Sequence, residues 1–261
     1  MSELSVSYTP PRGRPLGTNF SYWLFSVTLI PIIKIISKKN WKGLENIPTT
    51  GPVIFASNHL SYFDAFGLAY FLHENGRAPR FLGKASVFRI PVLGRALLAA
   101  GHVPIERESG SAHKAIDHAR AILSAGHALG LYPEGTLTRD PDLWPMAAKT
   151  GIARLALQTG APVIPIAQWG AQEIIPTYGK KLKLFPRTTL YYHCGKPVDL
   201  SEWAHQSDDQ EALLAATAKI MREITVLLEE IRGQKRPQVI FDPRNSDLPR
   251  TGNFKKKKKG Q

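Results

Sequence analysis

Thiols are almost absent from this chain of 261 residues: Cys194 is its one cysteine. No disulfide can form within the chain, and no cysteine-based metal site can be built. That fits a reducing compartment. Nucleotide-binding signatures are missing as well. Neither a G-x-G-x-x-G turn nor a P-loop occurs, so a dinucleotide or P-loop site has no support. A G-x-S-x-G elbow is also absent, which ranks a serine hydrolase last among enzyme readings. No internal repeat is visible, and no small-residue cleavage site follows the apolar segment near the N-terminus, against a secretory signal. Acids are few: 21 Asp and Glu face 34 Lys and Arg, for a net charge of +13.

What is present begins with that charge. Five of the positive charges lie in Lys255–Lys259, which leaves +8 for the rest of the chain. Such a balance suits polyanions: nucleic acid, anionic lipid headgroups or phosphorylated substrates. Solubility alone is the plain alternative for the lysine run. The length fits one domain with short appendages and a sizeable core.

Residues 1–19 carry Pro10, Pro11, Pro15, Arg12 and Arg14 and read as a disordered basic arm. Residues 20–40 hold the apolar stretch Phe20–Ile36, interrupted by Pro31 and Lys34. As a helix it spans about 25 Å, short of the roughly 30 Å of a bilayer's hydrocarbon. Cationic flanks and the aromatics Tyr22, Trp23 and Trp41 suit a helical segment lying in a membrane interface. A buried core helix is the competing reading.

Residues 41–233 alternate short apolar runs with helical patterns. Strands are expected at 52–57, 80–83, 102–106, 128–132, 162–168 and 188–194. Helices are expected at 64–73, 111–125, 150–159 and 207–232, the last with a capping box from Ser207 to Gln210. This alternation predicts an α/β domain, a mostly parallel sheet flanked by helices. Residues 234–261 read as a polar basic tail.

Ligands gather at the carboxyl ends of strands in such sheets. Four expected strand ends carry chemistry. The first runs into Asn58-His59-Leu60-Ser61-Tyr62-Phe63-Asp64. On one continuous helix His59 and Asp64 would point about 140° apart. With Ser61 as N-cap and Asp64 in the first turn, His59 lies ahead of the helix and can fold back onto the carboxylate. The imidazole can then act as a base oriented by an acid. The spacing alone also fits a capping Asp beside an incidental His. The other ends offer Phe81-Leu82-Gly83-Lys84, Val103-Pro104-Ile105-Glu106-Arg107 and Leu131-Tyr132-Pro133-Glu134-Gly135-Thr136.

Together these blocks resemble the glycerolipid acyltransferase family, in particular bacterial-type 1-acylglycerol-3-phosphate acyltransferases. The family's His-x4-Asp block matches His59 and Asp64. Its strand ending in arginine matches 103–107, its Pro-Glu-Gly-Thr block matches 133–136, and its Val-Ile-Pro strand matches 163–165. Lys149 and Gly151 fit a Lys-x-Gly that leads into the next helix. The resemblance covers about residues 40 to 200.

It implies that His59 is the general base and Asp64 its partner, with Lys84, Arg107, Glu134, Gly135 and Thr136 binding substrate. It also implies an acyl donor on coenzyme A or acyl carrier protein, no metal or other cofactor, and 1-acylglycerol 3-phosphate as acceptor. The implied partners are anionic membrane lipids rather than nucleic acid, at the cytoplasmic face of the cell membrane. Glu134 is awkward beside a phosphate, and orienting Arg107 or bonding an acceptor hydroxyl is the role expected of it. Two rivals stand beside this: an acyltransferase for another acceptor, such as glycerol 3-phosphate, another lysophospholipid or a lipid amine, and a non-catalytic basic protein that binds membrane or nucleic acid.

Overall fold

The computed structural model describes residues 15–105 and 112–246. The Lys255–Lys259 run, most of the N-terminal arm and Arg107 lie outside them. Helix α1 (Phe20–Ile36) leads directly into strand β1 (Ser37–Lys42). After β2 (Val53–Ser57) come α2 (Asp64–Glu74), β3 (Arg80–Lys84), two short helices α3 (Ala85–Phe88) and α4 (Leu93–Ala99), and β4 (Val103–Ile105). Next follow α5 (Ala112–Ser124), β5 (Ala128–Leu131), α6 (Gly151–Thr159), β6 (Val163–Trp169), α7 (Ala171–Ile174), β7 (Thr188–Cys194) and α8 (Gln210–Arg232).

The seven strands form one sheet in the order β1-β7-β6-β2-β5-β3-β4. All neighbours are parallel except β6 and β7. The sheet is therefore mostly parallel, with β7 and β1 running against the other five. The carboxyl ends of β6, β2, β5, β3 and β4 share one edge.

The central strand β2 shows why the sequence folds this way. Its side chains alternate between faces, as a strand requires. Val53 and Phe55 join one core cluster with Ile33 and Ile36 of α1 and Leu68 and Phe71 of α2. Ile54 and Ala56 join another with Ile122 of α5, Leu155 of α6 and Ile220 and Ile224 of α8. Helices cover both faces, so every residue of β2 is buried and the strand reads as a continuous apolar run. On the first face α2 comes close to β7. A Cβ on Gly67 would lie 2.2 Å from the Tyr192 hydroxyl, so only glycine fits.

Three local expectations are corrected. The segment expected to be helical through residue 40 turns into a strand at Ser37. Residues Ser37–Lys42 pair in parallel with Thr188–His193 as the sheet's edge. The α8 cap is Asp209 rather than Ser207: its carboxylate accepts the Glu211 and Ala212 N–H groups, and Gly233 closes the other end at φ +61°. The start of the tail does not run free, because the Phe241 carbonyl accepts the Ala147 N–H at 2.9 Å.

Helix α1 is two-sided in an unusual way. Tyr22, Ser26, Ile33 and Ile36 are buried. Phe20, Leu24, Val27 and Ile35 recur at helical spacing on the other side and are exposed. No helix among the described residues is long and apolar enough to cross a membrane.

Candidate active site

Strand β2 leaves the sheet at Ser57, and the next residue is clamped. Asn58 Nδ2 donates to the Gln168 carbonyl, its Oδ1 accepts the Gln168 N–H, and Gln168 Nε2 donates to the Asn58 carbonyl. These three bonds tie the ends of β2 and β6 together. The chain direction into His59 is thereby fixed.

The turn that follows folds His59 back over the start of α2. Asp64 is the first helical residue and is fully buried. Its Oδ2 accepts from His59 Nδ1 at 2.8 Å, from the Ser61 N–H at 2.8 Å and from the Leu60 N–H. The cap works in the reverse sense to that expected of Ser61: Asp64 reaches back to the Ser61 N–H. The Ser61 hydroxyl accepts the Phe63 N–H and donates to the Ile175 carbonyl. Three N–H donors and the positive end of α2 stabilise the carboxylate.

A carboxylate can only accept, so the His59 Nδ1 carries the proton and Nε2 keeps its lone pair. The imidazole is 16% exposed, unlike its partner. Its ring stacks on Tyr132, with centroids 4.1 Å apart and planes 14° from parallel. Burial, with the Asp64 charge adding to it, holds the Tyr132 and Tyr192 phenols far above their ordinary range. Both therefore stay neutral beside the acid.

Main-chain contacts hold the same turn from the β5 side. The His59 N–H donates to Glu134 Oε1 at 2.9 Å, and the His59 carbonyl accepts the Thr138 N–H at 2.7 Å. The other Glu134 oxygen accepts the Met146 N–H at 3.1 Å. Burial pushes the Glu134 carboxyl up to about 8 despite these bonds. Both oxygens are spent on main-chain donors, and the residue is 3% exposed. These contacts suit a positioning role for Glu134, beside the substrate-binding one expected from the sequence.

Gly135 makes the turn at φ +71°. A Cβ there would meet the Lys149 side chain at 3.2–3.3 Å, so an exposed lysine lies over the turn. The Lys149 N–H donates to the Pro133 carbonyl. Lys149 was visible in the sequence only as a helix-leading residue; the structure makes it a cation at the site. Thr136 is half-buried beside the turn, and Lys84 is exposed at the end of β3, two strands from β2. Arg107, expected at the end of β4, falls outside the described residues. Asn58 stands just ahead of the His-x4-Asp block in the sequence, but its clamp on Gln168 does not show there; Tyr132 and Gln168 are contributors that the sequence did not mark, because stacking and clamping leave no spacing pattern. Among the described residues no group of three or more His, Cys, Asp or Glu side chains could hold a metal ion.

Fold and site define a class: an α/β protein with a histidine–aspartate pair at the carboxyl edge of a largely parallel sheet. The model of the acyltransferase family matches residues 38–169, a stretch that contains both residues. The chain belongs to that family. It is 33% identical over 154 residues to the chloroplastic 1-acyl-sn-glycerol-3-phosphate acyltransferase of Brassica napus, covering 58% of this chain and 42% of that protein. It is 28% identical over 169 residues to the 1-acyl-sn-glycerol-3-phosphate acyltransferase of Borreliella burgdorferi, covering 63% of this chain and 64% of that one. The chain thus spans less than half the length of the plant relative. Among solved structures, the 1-acyl-sn-glycerophosphate acyltransferase PlsC of Thermotoga maritima is similar in fold, with a TM-score of 0.57 and 20% identity over 83% of each chain.

Proposed function

We propose that this chain transfers a fatty acyl group from a thioester, carried by coenzyme A or acyl carrier protein, to the sn-2 hydroxyl of 1-acylglycerol 3-phosphate. The product is phosphatidic acid. The observation that carries this reading is the 2.8 Å bond between His59 Nδ1 and a fully buried Asp64, with the imidazole partly open to solvent.

In the reaction His59 Nε2 takes the proton of the acceptor hydroxyl. The oxygen attacks the thioester carbonyl, and a tetrahedral oxyanion forms. The carbon–sulfur bond then breaks, and the thiolate receives the proton from the imidazolium. Asp64 stabilises that imidazolium and holds the tautomer. No serine nucleophile is needed, because the acceptor alcohol itself attacks.

Lys149 over the Gly135 turn and Lys84 at the end of β3 are the cations that suit the acceptor's phosphate, together with Arg107. The exposed apolar stripe of α1, flanked by Lys34, Lys38 and Lys39, suits a helix resting on a lipid surface at the cytoplasmic face of the cell membrane. The deciding experiment is a transfer assay with lysophosphatidate and labelled thioester donors, run with glycerol 3-phosphate and other lysophospholipids as competing acceptors. Lysophosphatidate is expected to be acylated fastest. Label in another acceptor at a higher rate reassigns the substrate.

A further inference from the structure

Between α7 and β7 the chain makes a loop, residues 175–187, that the proposed chemistry does not use. From Ile174 to Arg187 it carries Lys180, Lys181, Lys183 and Arg187 and no Asp or Glu. All four cations are exposed. Set among them are two exposed apolar side chains, Leu182 at 53% and Phe185 at 66%. Leu184 between them turns inward and packs on the core. Glu173 of α7 lines the same shallow hollow as Lys183 and Arg187 and offsets one charge.

The loop is fastened at several points. The Lys183 N–H donates to the Ile174 carbonyl and closes its base. The Ser61 hydroxyl bonds the Ile175 carbonyl at 2.6 Å, and the Tyr178 hydroxyl bonds the Leu137 carbonyl at 2.6 Å. Its start is thus held by the His59–Asp64 turn and by the loop after Glu134. At its far end Arg187 Nη2 donates to the Lys34 and Ser37 carbonyls, at the end of α1. The loop therefore runs from the catalytic turn to the helix whose exposed stripe includes Ile35.

We infer that the 175–187 loop is a second membrane contact, in which Leu182 and Phe185 enter the headgroup region of an anionic bilayer while Lys180, Lys181 and Lys183 meet lipid phosphates. Apolar tips interleaved with cations suit that boundary, where one class of side chain needs hydrocarbon and the other needs anions. An acidic acyl carrier protein would answer the charge. It would not answer the two exposed apolar tips, nor the tie through Arg187 to the end of α1, whose outer stripe is exposed and apolar. With two contacts flanking it, the mouth of the site faces the layer from which a lysolipid acceptor is drawn. In this respect the inference rests on the proposed function, but the contact itself does not.

The test uses the full chain and two sets of variants: Leu182→Asp with Phe185→Asp, and Lys180→Gln with Lys181→Gln and Lys183→Gln. None of these residues touches the His59 machinery, and their exposure leaves the fold intact, which thermal melting checks. Co-sedimentation is measured with vesicles of phosphatidylcholine alone and with phosphatidylglycerol added. About fivefold in affinity is expected per cation near an anionic surface. The triple variant should therefore bind the anionic vesicles roughly a hundredfold more weakly, and the aspartate pair at least tenfold more weakly. Turnover of a short-chain, monomeric lysophosphatidate should stay within twofold of the parent.

Unchanged vesicle binding in both variants overturns the inference. So does a loss of turnover on the monomeric acceptor, which would put the loop in the substrate site. A raised KM for an acyl carrier protein donor, with vesicle binding intact, makes that protein the occupant instead. If the parent chain acylates no acceptor at all, the proposed function fails while the vesicle result stands on its own.

Discussion

Glu134 grips His59 by its main chain and leaves the ring alone: Oε1 accepts the His59 N–H at 2.9 Å, across 75 residues of sequence. An acid in that role sets where the His59 imidazole stands. Glu134→Ala leaves the buried Met146 N–H and the part-buried His59 N–H without an acceptor, at up to roughly 1–3 kcal/mol each. The expected outcome is a less stable protein with kcat reduced more than KM for either substrate. Steady-state kinetics and urea unfolding check this. A variant with normal kcat and a tenfold higher KM for the acceptor would return Glu134 to the substrate.

The same carboxyl makes stability depend on pH. Burial raises it from an ordinary 4.5 to about 8. Between those values the folded chain holds a proton that the unfolded chain releases. Stability from this group is thus complete below about 4.5 and is lost as pH rises to about 8. Relative to Glu134→Gln, which cannot titrate, the parent's unfolding midpoint should fall as pH rises from about 5 to about 8. A constant gap refutes the assignment.

Asp64→Asn is expected to lower kcat by roughly 10²–10⁴-fold with little change in KM. An amide oxygen in the place of Oδ2 can still accept from all three donors, but it carries no negative charge to stabilise the imidazolium that forms. Pre-steady-state and steady-state rates measure the loss. Turnover within threefold of the parent would remove Asp64 from the mechanism.

The Tyr132 stack gives a cleaner comparison. An aromatic pair contributes about 0.5–1.5 kcal/mol beyond its buried area. Tyr132→Leu should therefore cost roughly three- to tenfold in kcat, whereas Tyr132→Phe keeps the ring and should stay near the parent rate. If the phenylalanine variant falls as far as the leucine one, the hydroxyl matters more than the stack.

Lys149→Ala should raise KM for lysophosphatidate while kcat holds, since a point charge over the Gly135 turn contributes to ground-state and transition-state binding alike. The variant removes a solvent-exposed side chain, so melting should not move. A fall in kcat with unaltered KM would assign the lysine to the chemical step.

Much of the fold was legible because buried parallel strands announce themselves as apolar runs. The 188–194 expectation coincides with β7, and the others lie within a residue or two of β2 to β6. β1 was illegible for the opposite reason. Ser-Lys-Lys-Asn-Trp-Lys sits at the sheet's edge, mostly exposed, and carries no apolar pattern. The helices α3 and α4 are too short to show a period. At the site, the spacing of His59 and Asp64 could suggest a pair, but only the folded turn shows one carboxylate oxygen serving three donors. The contacts of Glu134 were illegible because burial against main-chain donors leaves no trace in the sequence. Lys149 reaches its place through the long irregular segment between β5 and α6, whose path no periodicity describes.

The clasp on His59 from the far side of β5 has a temporal meaning. Its two bonds join the turn at 59 to residues 134 and 138, so they cannot exist until β5 has docked against β2. Local helices form early and this long-range closure comes late. On refolding, the His59 imidazole therefore reaches its place only with the finished sheet, and under the proposed function regained turnover marks the moment the chain's middle has locked into register.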